Sequence, residues 1–164
     1  MWWWTRSVEK KKQQSLLRSQ VMEWHDRLAA MTLTLTRDER LGVTDDFPLR
    51  FDVMVLLVAG VLFHWRTRQD QAWSHALWEM TYEGFEESLR NRGVTDMGMG
   101  RRMKKLFRQG TGRRDAFLAA WEAGDPDAVR AAVARNVLNG ADPADSRVDC
   151  LLEAVREVVA GLDP

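Results

Sequence analysis

Apolar residues recur at helical spacing along almost the whole chain. Leu17, Val21, Trp24, Leu28 and Met31 follow one another at intervals of 4, 3, 4 and 3. That is a narrow stripe on an otherwise polar segment, and it predicts a helix from about Ser7 to Met31. Residues 1–6 read as a loose end. Between Thr32 and Pro48 the β-branched residues, Gly42 and Pro48 predict a connection, with a helical turn at Thr36–Leu41. Phe51–Arg66 is apolar nearly all round, the pattern of a central core helix, and Gly60 would allow a second helix to cross it closely.

The next helix, Gln71–Asn91, carries Trp78, Tyr82, Phe85 and Leu89 on one stripe, with Trp73, Leu77, Met80 and Thr81 beside it. Gly93 supplies a left-handed stop. Met99, Met103, Leu106, Phe107 and Gly110 then share one face, and the same phase continues through Phe117 and Trp121. Gly110, Gly112 and Arg114 interrupt it, which leaves one kinked helix or two helices joined near 110–113. Glycines 98 and 100 read as shaping the turn before this helix. Asp125-Pro126 is a start signal for a helix running to Asn139, where Gly140 stops it. Asp142-Pro143 repeats the signal before a last helix with Val148, Leu151, Leu152, Val155 and Val159 on one face. The sum is an all-α, single compact domain of six to seven helices around the central helix 51–66, with a long N-terminal helix. Residues 1–34 read as a tail plus amphipathic helix, and residues 35–164 as the helical body.

Charge adds what periodicity does not show. The 164 residues have formal net charge zero, yet 101–114 holds seven cations (Arg101, Arg102, Lys104, Lys105, Arg108, Arg113 and Arg114) and no acid. On a helix, Arg101, Lys104, Lys105 and Arg108 fall opposite the apolar face. An ordinary solvated helix would place acids at i±4 of such cations. Just upstream, Glu79, Glu83 and Glu87 stand at successive i, i+4 positions, where like charges repel. These two faces, together with Asp96, are the candidate contact surfaces. The acidic face is expected to meet either the basic face of the same chain or a second protein.

Little else points to chemistry. Met97-Gly98-Met99-Gly100 is not a GxGxxG loop and follows no strand, so no dinucleotide site is expected; an anion at the N-terminus of the basic helix is the alternative use of this stretch. His25, His64 and His75 share no ligand spacing, and Cys150 stands alone among apolar neighbours as a buried thiol. His64, in the last turn of its helix, reads as structural, and core packing accounts for Met54 and Met80 better than haem ligation does. The reading is of no catalytic residues, no metal, no cofactor and no enzyme. The N-terminal Trp2, Trp3 and Trp4 with Lys10, Lys11 and Lys12 would suit contact with an anionic membrane surface, or a tail packed on the domain. Neither a secretory signal nor a transmembrane span is expected: Val53–Phe63 is 11 residues long where about 20 are needed. The zero net charge and a pI near 6.8 argue against DNA as a partner. An RNA- or ribosome-binding module using the basic segment is the alternative functional reading.

Three stretches resemble one family. Leu41-Gly42-Val43-Thr44-Asp45 before Phe51-Asp52-Val53-Met54-Val55-Leu56-Leu57 is similar to the start of the core of the ubiquinol–cytochrome c chaperones. Phe85-Glu86-Glu87-Ser88-Leu89-Arg90 followed by Gly93–Lys105 resembles that family's acidic helix, glycine-bearing turn and basic helix. Arg135-Asn136-Val137 is similar to a later segment. The resemblance spans about residues 38–160. It implies a non-enzymatic, all-helical assembly factor of respiratory complex III that binds newly made cytochrome b at the membrane. It also implies a possible ribosome or small-subunit partner, as in mitochondrial members. The chain is similar to bacterial members, which implies the cytoplasm at the inner face of the cytoplasmic membrane. The family's pattern has no catalytic residues to carry over. The Trp-rich start and the long 7–31 helix depart from it.

Overall fold

The 19-residue helix Phe47–Trp65 (α2) is the axis of the molecule, a computed structural model that describes the backbone of residues 2–68 and 71–161 and the side chains from Val8 onward within them. Before it come α1 (Trp2–Thr36) and a 3-10 turn at Glu39–Leu41. After it come α3 (Gln71–Asn91), α4 (Asp96–Ala123), α5 (Pro126–Val137) and α6 (Ser146–Ala160). No strand occurs among the described residues, so the all-α expectation holds. Every residue from Phe51 to Val61 is buried. By length and composition α2 could cross a membrane, but α1, α3, α4, α5 and α6 all pack against it. Its apolar surface is consumed inside the bundle.

At Gly60, α2 packs tightly against α6. A Cβ there would lie 2.7 Å from Val155 Cγ1, a stiff β-branched side chain with no room to yield. Gly60→Ala is therefore expected to lower stability by about 1–3 kcal/mol, the usual range for overpacking, measured as a shift in the urea midpoint. On the other side of α2, α1 contributes Val21, Leu28 and Leu35 to the same core, with Leu17, Trp24 and Met31 partly buried beside them. The rings of Trp24, Trp65 and Trp73 then run from α1 through α2 to α3, with centroids 5.8 and 5.3 Å apart.

Several element boundaries differ from expectation, each for a local reason. α1 begins at Trp2, not Ser7, and continues past Met31 to Thr36. Its β-branched threonines do not end the helix because their hydroxyls bond back along it: Thr32 Oγ1 donates to Leu28 O at 2.8 Å and Thr34 Oγ1 to Ala30 O at 3.1 Å. α2 starts four residues before Phe51, because Asp46 accepts from the Leu49 amide at 2.9 Å and Pro48 sits in the first turn. α4 is one continuous helix from Asp96 to Ala123, so glycines 98, 100, 110 and 112 all lie inside it. α5 ends at Val137, with Asn139 and Gly140 both left-handed (φ 53° and 81°). The last helix takes Asp145, not Asp142, as its cap; Asp142 instead accepts from the Ala144 amide within the preceding turn.

Candidate protein-interaction site

The basic face of α4 starts from a helix that can afford only one buried side. Met99 and Gly110 are buried, and Met103 and Leu106 are partly buried against the core. That leaves Arg101, Arg102, Lys104, Lys105 and Arg108 all exposed. None of these five has an ion-pair partner among the described residues. Phe107, expected on the core face, is instead 50% exposed, and Met97 in the first turn is 99% exposed. The site therefore combines five free cations with two projecting apolar side chains. Asp96 is exposed in the first turn, where its charge complements the helix dipole. A carboxylate already occupies the end at which an anion would have to bind, so the geometry does not support an anion site there.

Tyr82 of α3 fixes the height of this face. Its hydroxyl donates to the carbonyls of Leu106 and Phe107 at 3.4 and 3.5 Å, and its ring packs on Phe107 at 5.0 Å. Burial pushes the phenol's pKa up, with Arg114 and Arg113 opposing, so it stays protonated and able to donate. The hydroxyl lies directly over Gly110, where a Cβ would come within 2.0 Å of it. The glycine read in the sequence as a helix interruption is thus a seat for a tyrosine. Gly110→Ala is expected to cost about 1–3 kcal/mol. Tyr82→Phe in the same chain should recover part of it in a double-mutant cycle of urea midpoints.

Arg113 and Arg114, expected in the basic patch, are turned to other uses. Arg113 Nε lies 3.0 Å from Asp52 Oδ1 and donates to Asn136 O at 3.2 Å, tying α4 to α2 and the end of α5. Asp52 is 7% exposed; burial raises its carboxyl to about 7, Arg113 pulls it down and Asp46 pushes it further up. Arg114 pairs with Asp115 at 2.7 Å and lies over the Trp78 ring at 4.6 Å. Both arginines sit a full turn beyond Arg108, where the helix surface has rotated inward.

The acidic face does not meet the basic one. Arg18 of α1 donates to Glu83 at 2.9 Å, and Glu79 lies 3.1 Å from His75 Nε2 of its own helix. Glu87 is exposed. No ion pair among the described residues joins Glu79, Glu83 or Glu87 to α4, so the alternative in which the chain neutralises its own patch is corrected. Lys10, Lys11 and Lys12 are exposed on α1; the side chains of Trp2, Trp3 and Trp4 lie outside the described residues. Trp73 and Trp78 are buried in the core, as their stripes predicted, and Trp121 is partly buried. Cys150 is a buried free thiol whose pKa burial raises. His25, which sequence reasoning left without a role, covers Gly84 of α3, where a Cβ would sit 2.9 Å from its Nε2. No group of three or more potential metal ligands occurs among the described residues.

A family model described as ubiquinol-cytochrome C chaperone matches residues 39–164, from the 3-10 turn to the end of the chain. The chain belongs to this family. Among curated proteins none matches it. The fold is similar to a crystal structure described as that of the Cbp3 homolog from Brucella abortus. That match has a TM-score of 0.61 at 21% identity and covers 95% of this chain and 89% of the other. At such coverage the likeness must extend well into α1, upstream of residue 39. The long first helix, read in the sequence as a departure from the ubiquinol–cytochrome c chaperones, is therefore shared with this structure. Family membership makes the chain an assembly chaperone for complex III, with a client protein as its partner.

Proposed function

We propose that this chaperone holds newly made cytochrome b during assembly of ubiquinol–cytochrome c reductase, and that the basic face of α4 is its client contact. The supporting observation is the set of five exposed cations on one rigid helix, none neutralised by the chain itself. A membrane-protein client carries charged loops beside apolar helices. Five free cations flanked by Met97 and Phe107 offer complementary contacts to both. The work then lies at the inner face of the cytoplasmic membrane, with the chaperone bound peripherally through its client and, on the Lys10–Lys12 side, to anionic lipid.

The test is a pull-down with the tagged full chain from detergent-solubilised membranes that contain newly made cytochrome b. The variant carries Arg101→Glu, Lys104→Glu, Lys105→Glu and Arg108→Glu. Because these side chains are exposed and unpaired within the chain, the thermal midpoint should stay close to that of the parent. Cytochrome b recovery should fall by at least about tenfold, the equivalent of about 1.4 kcal/mol. Unchanged recovery removes the basic face from the contact. Recovery of RNA in place of cytochrome b, lost steeply as salt rises, would favour the ribosome-binding reading instead.

A further inference from the structure

Away from the basic face, a cavity of about 440 Å³ opens between the segment 42–49, the first turns of α2, the end of α5 and the start of α6. Asp52 lines it. The other charged groups on its wall are committed elsewhere. Asp46 caps α2 through the Leu49 amide, and Arg147 is held by Asp145 at 2.6 Å. Asp52 is far less well satisfied than the best-paired acids of this chain. Asp45, for example, takes two 2.6 Å bonds from Arg50. Among the described residues Asp52 has one hydrogen bond, a long one of 3.4 Å from Arg113 Nη2, while its Oδ1 lies beside Arg113 Nε without a hydrogen bond of good geometry. An ionised carboxylate has about four acceptor positions, so most of the capacity of this buried one is unused. Burial also raises its pKa, against the pull of Arg113. Val137 to Asn139, at the C-terminal end of α5, form another part of the lining; Leu138 O there already accepts from the Ala141 amide at 3.2 Å, and the negative end of the helix dipole lies at this wall.

We propose that this cavity is a receptor for a cationic side chain, a guanidinium or ammonium group carried by the bound client, with the Asp52 carboxylate as its counter-charge and the negative end of the α5 dipole beside it. The volume suits one long side chain, at the small end of the range for ligand sites. The identity of the carrier rests on the client-holding role proposed above; the preference of the cavity for a cation does not.

Two measurements test it. The first titrates the labelled full chain with N-acetyl-arginine amide, and in parallel with its neutral isostere N-acetyl-citrulline amide, following backbone amide signals around the cavity. The arginine probe is expected to shift Thr44 and Asn139 saturably below roughly 10 mM, as a millimolar site should, and the citrulline probe is not. Asp52→Asn should weaken the effect at least tenfold. Thr44→Trp, at the exposed rim and clear of the Asp52–Arg113 pair, should do the same by obstruction, so the outcome does not depend on how Asp52→Asn folds. Equal shifts from both probes, or no saturable shift, overturn the proposal and leave the basic-face reading to its own pull-down. The second repeats that pull-down with Thr44→Trp and the basic face intact. Cytochrome b recovery should drop severalfold; probe binding with unchanged recovery would overturn the client as the source of the cation.

Discussion

Phe117→Ala is expected to destabilise the protein by about 3–5 kcal/mol, the range for removing a fully buried aromatic ring. Phe117 is 1% exposed, on the inward side of α4 where that helix meets α2 and α5. The space left behind cannot close easily. Its neighbour Trp121, centroid 6.1 Å away, is itself held against Phe63 of α2 at 5.7 Å. Gly60 of α2 already packs tightly against Val155 of α6 and lies near Trp121. Phe107→Ala, ten residues earlier on the same helix, is the control. Its half-exposed ring gives up chiefly the stack on Tyr82, worth about 0.5–1.5 kcal/mol. Both are read from urea unfolding with unchanged m-values. Equal costs would mean that α4 is rotated relative to the arrangement described, and that its basic face does not point to solvent.

That contrast also marks how far the sequence could be read. Period-3.6 patterns identified all six helices, and the buried stripe of α3 matched residue by residue, because that helix packs against α1, α2 and α4. The same rule misplaced Phe107. Periodicity assigns a face but not how wide a strip of it the neighbouring helices cover, and Phe107, though it meets Tyr82, stays half exposed. Glycine was misread for a related reason. Helical Gly110 looks like a flaw in the chain until Tyr82, 28 residues away, is seen standing on it. Cations at 101–108 were legible as a patch, since i, i+4 partners are local. The fates of Arg113 and of Glu83 depend on Asp52 and Arg18, contacts between helices that no local pattern encodes. The cavity beside Asp52 was invisible for the same reason, although Gly42, Val43, Thr44, Asp52 and Val137 of its lining fall within the stretches that carried the family resemblance.

Arg113→Met should have a cost that depends on pH, because Asp52 is what it leaves behind. Asp52's folded pKa, about 7, lies above its ordinary value of 3.8. The folded state therefore holds the proton more tightly than the unfolded one. Stability tied to this group is full below about pH 4 and is lost as pH rises towards 7. Removing the guanidinium takes away the one cation opposing the upward shift, so the variant's Asp52 pKa rises further and the loss continues beyond pH 7. At pH 6 the carboxyl is mostly neutral in both proteins, and the variant gives up only the bond to Asn136 and some packing, about 1 kcal/mol. Above pH 7 the difference should grow by up to about 1.4 kcal/mol per pH unit, towards the 3–5 kcal/mol typical of a buried charge stripped of its partner. Adding Asp52→Asn should flatten the curve, since an amide does not titrate. Denaturation midpoints at pH 6, 7, 8 and 9 decide the matter. A cost that is the same at all four would mean that Asp52 is ionised throughout, with Arg113 dispensable to it. In that case the anchor holding the basic helix to the body would have to lie in its apolar contacts, through Phe117 and Ala120 with Met103, Leu106 and Trp121 beside them.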